Sequence, residues 1–134
     1  MLEDNIKNQL LKHGVRPTSQ RLEIARILLA EHQHLCADDV LGRVNKQRNV
    51  VSKATVYNTL NLFAERGLIR QVIIDSGRVF YDSNVMAHHH IYNEDTGRLQ
   101  DIDASEVELG EMPKLPAGTE GVGVDVIIRV KNKR

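Results

Sequence analysis

Three consecutive histidines, His88-His89-His90, stand in the stretch MAHHHIYN of a 134-residue chain. Successive side chains of an extended segment alternate between faces, so His88 and His90 share one side and His89 points to the other. An H-x-H pair of this kind is a chelating unit. Asp82, six residues upstream, and Asp101, on the next expected strand, are carboxylates able to reach the same side, and His34 is a fifth candidate from the first half of the chain. Two histidines with one or two carboxylates suit the mixed nitrogen and oxygen preference of ferrous iron, manganese or zinc, and disfavour copper(I), which prefers sulfur. Residues 91–134 follow the run, which sets it apart from a terminal affinity tag.

The elements that must position these groups begin with helices. In LEDNIKNQLLKHG, Leu2, Ile6 and Leu10 recur at near-helical spacing and Gly14 marks a stop. RPTSQRLEIARILLAEH follows with Thr18 or Ser19 as N-cap and an apolar stripe of Leu22, Ala25, Leu28 and Leu29. CADDVLGRVNKQ reads as a third, short helix whose Asp38 and Asp39 suit the positive end of the helix dipole, with Val40, Leu41 and Val44 inward. In VSKATVYNTLNLFAERGLI, Ser52 is an N-cap, Gly67 a stop, and Val56, Leu60 and Phe63 fix the inner face. Ala54, Asn58 and Asn61 then lie opposite, with Tyr57 toward the flank, so the outer face carries amides, the Thr55 hydroxyl and an aromatic ring. Such a face suits a DNA groove, where Asn pairs bidentately with adenine; a plain solvent-facing surface is the simpler alternative.

Beyond Gly67 the period becomes two. LIRQVII and RVFYD are strands joined at Asp75-Ser76-Gly77. Helices followed by a hairpin make a winged helix, in which Lys53, Arg70 and Arg78 are placed for phosphate contact, with Arg16 and Arg21 as weaker candidates. Further on, a strand from about His89 to Asn93, a turn Glu94 to Gly97 and a strand from Arg98 to Ile102 make a second hairpin. Residues 105–109 form an expected turn of helix, and Val124, Val126, Ile128 and Val130, alternating with Asp125 and Arg129, form a third strand with one face buried.

The composition excludes some classes. Hydrophobic residues are 41% of the chain, with no apolar run long enough to span a membrane and no signal-like opening, so the expectation is a soluble, cytoplasmic protein. The single Cys36 excludes a disulfide framework and a zinc site built on paired cysteines. Net charge is zero, yet residues 1–82 hold 12 Lys and Arg against 9 Asp and Glu, a surplus of three, and residues 83–134 hold 6 against 9, a deficit of three. The first part is thereby suited to phosphates, although random scatter of surface charge explains the difference almost as well.

Taken in order, HGVRPTSQR, HLCADDV, VSKATVYNTL, GLI, YDSN, HHH and TGRLQDI give a chain that resembles the ferric uptake regulator family over nearly its full length. The resemblance implies an α+β fold: an N-terminal winged helix-turn-helix, residues 1–82, that binds operator DNA, then a small α/β dimerisation and metal-sensing domain with a three-stranded sheet, residues 83–134. It implies a homodimeric, metal-dependent transcriptional repressor of iron or peroxide-stress genes. In it His34, Asp82, His88, His90 and Asp101 correspond to the ligands of Fe2+ or Mn2+, with Zn2+ as a substitute, and Tyr57 and its neighbours lie on the base-contacting helix. Asp82 is like the aspartate of the peroxide-sensing branch; the glutamate of many iron sensors falls where this chain has Tyr81. Asn93 and Thr96 replace the first cysteine pair of the usual structural zinc site, so no structural zinc is expected. The cysteine-poor, shortened form also resembles haem-responsive regulators, which leaves haem as an alternative signal.

Two rival classes share these residues. Asp82, His88 and His90 also suit the two-histidine, one-carboxylate iron site of an oxygenase, but two further ligands would close the coordination sphere that catalysis needs open. A DNA-binding module with a metal-free interaction domain leaves the histidines solvated. The regulator, not an enzyme, is the expected reading.

Overall fold

The computed structural model describes residues 2–48, 50–75, 77–86 and 88–134, with side chains from residue 5 onward. The side chain of Leu2 and all of Ser76, both assigned to elements above, lie outside the described residues. The chain divides into two compact units, residues 1–85 and 86–134. Among the described residues no helix is long and apolar enough to cross a membrane.

The first unit opens with α1 (Leu2–Lys12), which buries Ile6 and Leu10 and ends at Gly14, whose φ of 73° is the left-handed conformation of a helix stop. Helix α2 (Ser19–Leu28) is capped by the Thr18 hydroxyl, which accepts from the Arg21 N–H, and turns Ile24, Ala25 and Leu28 inward. Of the expected stripe, Leu22 and Leu29 are only half-buried, because Ile24 takes the innermost position.

Strand β1 (His34–Leu35) leads into α3 (Ala37–Val44), and α4 (Lys53–Glu65) follows. Asn45 shapes the connection: its Oδ1 accepts from the Val50 and Val51 N–H groups, at 2.8 and 3.0 Å, and its Nδ2 donates to the Val51 carbonyl at 2.7 Å. Ser52 then caps α4 through the Thr55 N–H at 3.1 Å. Val56, Leu60 and Phe63 enter one core with Ile24, Leu28 and Val40, leaving the opposite side of α4 in solvent. The wing is β2 (Arg70–Asp75) with β3 (Arg78–Asp82), and the Asp75 carboxylate accepts from the Gly77 N–H at its tip. The sheet order is β1-β3-β2, antiparallel throughout, so β3 lies between β1 and the rest of the wing.

The second unit is a sheet of order β5-β4-β6, from β4 (His88–Asn93), β5 (Leu99–Asp103) and β6 (Ile127–Val130). Strands β4 and β5 form the expected hairpin, and β6 lies parallel to β4 on its other side. The turn is held by side chains: Asn93 Oδ1 accepts from the Asp95 and Thr96 N–H groups, and Thr96 Oγ1 accepts from the Arg98 N–H. Asn93 Nδ2 also donates to Asn132 Oδ1, and Asp95 accepts from the Asn132 N–H, tying the turn to the segment after β6.

Two expectations change here. The helical turn is a 3₁₀ turn at Ala104–Glu106, one residue earlier than expected, because Asp103 caps it through the Ser105 N–H, a bond that also holds the Asp103 carboxyl below its usual range. The final strand does not bury the face read from its alternation. Val124 precedes the strand, and Val124, Ile128 and Val130 stay 51%, 44% and 36% exposed. The sheet is one layer thick at that face, with residues 107–126 in neither helix nor strand, so periodicity alone could not show what covers it.

The Ser52 cap starts the helix that carries the candidate DNA-facing side chains. Ser52→Ala is expected to lower unfolding stability by about 1 kcal/mol, and Ser52→Asp to restore most of it, as read by denaturant titration.

Candidate metal centre and nucleic-acid interface

Strands β4 and β5 bring three sequence-predicted ligands together within the second unit. His90 and Asp101 are directly opposed in the antiparallel register, and His88 lies two residues along β4 on the same face. Nε2 of His90 is 3.2 Å, and Nε2 of His88 3.5 Å, from the same oxygen, Oδ1 of Asp101. The two imidazole rings meet edge to face with centroids 4.6 Å apart. Both histidines are buried, whereas the Asp101 side chain keeps 42% of its surface, so the cluster opens to solvent through its carboxylate.

The tautomer of His88 follows from its other nitrogen. Nδ1 lies 2.6 Å from the Met86 carbonyl, which can only accept, so Nδ1 carries the proton. In the neutral ring Nε2 then presents a lone pair toward a carboxylate oxygen. Two acceptors so close repel unless a proton or a cation lies between them. That is the arrangement of a histidine prepared for a metal, with one ring nitrogen fixed by a carbonyl and the other aimed inward. The donor set, two imidazole nitrogens and one carboxylate oxygen all within 4.8 Å of one another, fits Fe2+, Mn2+ or Zn2+. His89 is used differently: its Nδ1 accepts from the Val126 N–H at 3.1 Å, which pins the approach to β6.

The other two predicted ligands belong to the first unit. His34 and Asp82 are register partners on β1 and β3, which places both side chains on one face of that sheet. Asp82 is fully buried and accepts from the Asn84 N–H at 2.9 Å. His34 is half-buried, its ring edge-on to Phe80. Ser83 sets the alignment: its N–H donates to the Gln33 carbonyl, its Oγ accepts from the Gln33 N–H, and the same hydroxyl donates to the Glu31 carbonyl. Sequence reasoning assigned no role to Ser83 or to the Met86 carbonyl. The serine lay in the quoted YDSN motif, but a backbone oxygen leaves no sequence signal.

The candidate DNA-facing residues lie mainly along α4. Lys53, Asn58 and Asn61 are exposed, Tyr57 is 39% exposed and Thr55 is half-buried. Lys53 Nζ is 5.9 Å from the centre of the Tyr57 ring and 3.9 Å from an Asp38 carboxylate oxygen. Thr55 and Asn58 share an open groove of about 260 Å³ with Gln20 and Arg21, next to the start of α2. Arg16 is exposed and its carbonyl accepts from Arg21 Nη1. Arg78 is exposed near the wing tip, but Arg70 sits at the wing base, half-buried and in register with Asp82. Asn61 differs from Asn58 in that its amide oxygen is occupied, accepting from the Tyr81 hydroxyl at 2.9 Å.

Cys36 is half-buried at the start of α3, with Sγ 3.1 Å from an Asp39 carboxylate oxygen. Burial, reinforced by that carboxylate, pushes its thiol above the usual range, so it is not an activated nucleophile.

A helix-turn-helix with a hairpin wing, in a chain that also carries a histidine and aspartate cluster able to hold a cation, defines a class: winged-helix proteins with a candidate metal-ligand set. The sequence profile of the ferric uptake regulator family matches residues 12–123, and the chain belongs to that family. It is 32% identical over 114 residues to the peroxide-responsive repressor PerR of Staphylococcus epidermidis, covering 85% of this chain and 74% of that protein. The structure of the ferric uptake regulator from Pseudomonas aeruginosa with manganese is similar at a TM-score of 0.72 and 27% identity, covering 100% of both chains. That of Francisella tularensis with iron matches at a TM-score of 0.72 and 27% identity, over 90% of this chain and 93% of that one.

A cation bound only by the folded protein stabilises it in proportion to the logarithm of its concentration. Mn2+ at about 100 times its Kd is expected to add about 2.7 kcal/mol to unfolding stability, reversed by a chelator, and His90→Ala to abolish the gain, as read by thermal unfolding.

Proposed function

We propose that the chain is a homodimeric, metal-dependent transcriptional repressor acting in the cytoplasm, and not an enzyme. Residues 1–82 serve as its DNA-binding domain and residues 83–134 as its dimerisation and metal-sensing domain. His88, His90 and Asp101 hold Fe2+ or Mn2+ together with His34 and Asp82, and Arg16, Lys53, Thr55, Tyr57, Asn58, Asn61, Arg70 and Arg78 form the DNA-binding set. The reading rests on one observation above the others: the Nε2 atoms of two imidazoles converge on a single carboxylate oxygen, and the other nitrogen of one ring, Nδ1 of His88, donates to a backbone carbonyl. It is supported by the family and by relatives that respond to peroxide or are seen with manganese and iron.

The cation, when bound, supplies the positive charge that lets these donors share one centre. His34 and Asp82 belong to the unit that carries α4, whereas His88, His90 and Asp101 belong to the other. Ligands drawn from both units favour one arrangement of the molecule over others, and operator DNA favours the arrangement that presents two copies of α4 at half-site spacing. Where the two preferences coincide, metal and DNA each tighten binding of the other by the same factor. Along α4 the polar groups approach base edges, while Lys53, Arg16 and Arg78 lie against phosphates.

The test is an anaerobic gel-shift titration on a duplex recovered by selection, with Mn2+ or Fe2+ added and then chelated. The double variant His34→Ala, His88→Ala is expected to fold and to lose metal-stimulated binding. A metal response equal to the wild type's would end the proposal. Repeating the Fe2+ titration after peroxide, and separately with haem, separates the signals: release by peroxide marks an oxidant sensor, release by haem the haem-responsive alternative, and indifference to both a sensor of iron or manganese itself.

A further inference from the structure

On the exposed side of α4, Asn61 is held in a way that its neighbour Asn58 is not. Tyr81 on β3 is buried, and its hydroxyl donates to Asn61 Oδ1 at 2.9 Å. Gln71 Nε2 on β2 approaches the same atom at 3.4 Å and the Tyr81 hydroxyl at 3.5 Å. Both contacts fall on the oxygen branch of the amide. The nitrogen branch is what Asn61 offers to anything approaching α4.

This alters the chemistry a base would meet. Bidentate pairing of asparagine with adenine requires the amide to give a donor and an acceptor together, for N7 and the N6 amino group. With its oxygen committed to the wing, Asn61 gives donors only. The matching edge is guanine, whose major-groove face shows two acceptors, N7 and O6. Tyr81 is part of the wing and contacts Asn61, so it acts on the base through another residue.

Resting on the DNA-binding reading above, we propose that Tyr81 is a positioning residue that fixes Asn61 as a donor-only reader, selecting guanine over adenine at one operator position. Because all three side chains lie in the first unit, the effect belongs to the recognition helix and wing alone.

The test is selection from a randomised duplex pool with the full chain loaded with Mn2+. Wild type is expected to enrich guanine at one position per half-site, and Asn61→Ala to erase the preference at that position. Tyr81→Phe removes one oxygen and keeps the buried ring; with only the longer Gln71 contact left on the amide oxygen, it is expected to shift that position toward adenine by about tenfold, with flanking positions unchanged. Asn61→Asp retains an acceptor for the tyrosine and turns an acceptor outward, so cytosine, with its N4 donor, should replace guanine there. Asn61→Asp keeps the base reading by Asn61 testable if Tyr81→Phe melts below the assay temperature, and a position that stays guanine in Asn61→Asp would overturn it. A Tyr81→Phe profile identical to the wild type's, or a loss spread evenly over every position, would overturn the role of Tyr81. Failure of the wild type to enrich any sequence would instead overturn the DNA-binding reading, and this inference with it.

Discussion

A lone pair on a buried imidazole nitrogen is repelled by a carboxylate oxygen unless a proton or a cation lies between them, and the second unit brings two such nitrogens to one oxygen. The Met86 carbonyl accepts a hydrogen bond from His88 Nδ1, and the β4–β5 register delivers His90 opposite Asp101. A slip of one residue along β4 would turn both histidines to the other face and bring His89 in their place. The register is therefore the quantity to protect, and it is set by the tight turn after Asn93, where Gly97 adopts a φ of 75° and its N–H donates to the Asn93 carbonyl. The chemistry of three side chains depends on the conformation of one glycine and the hydrogen bonds around it.

In the first unit a single strand serves two purposes. Neighbouring residues of β3 point to opposite faces, so Asp82 faces the side of His34 while Tyr81 faces α4. Burying the Asp82 carboxylate is costly unless it is hydrogen-bonded, and the Asn84 N–H supplies one such bond. The β1–β3 contact is only two residue pairs long, and the hydrogen bonds of Ser83 to Gln33 and Glu31 make up for its shortness.

How much of this was legible depended on whether a residue announces itself by period, by type or only by its surroundings. Periodicity carried the inner face of α4, and cap chemistry its start at Ser52, because both are local. The H-x-H pair and its opposing aspartate were legible because strand alternation is also local. Strand β1 was not, since two residues have no period, and its pairing with β3 is a long-range event. Asn61 was read by its type as a bidentate adenine partner; only the fold shows that Tyr81, twenty residues later, occupies its oxygen. Arg70 was read as a phosphate contact from its charge; its place at the wing base, in register with Asp82, is a long-range pairing that charge alone does not show. The face of β6 was read as buried because its alternation is clear, but alternation identifies an apolar face without saying what covers it.

That uncovered face and the cysteine-free turn pose one problem. Where the family resemblance places a cysteine pair for structural zinc, this chain has Asn93 and Thr96, and their side chains close the turn with three hydrogen bonds to backbone N–H groups. Each such bond contributes about 1 kcal/mol, whereas a structural zinc site contributes on the order of 10 kcal/mol. Hydrogen bonds at an exposed turn therefore fix geometry without supplying comparable stability. The remaining source is apolar burial, yet Val124, Ile128 and Val130 lie open in the isolated chain. A small single-layer sheet needs something packed against such a face to be stable by itself. Alternation thus marks an apolar face on β6 whose burial, unlike the turn's hydrogen bonds, is of the kind that stabilises a small sheet.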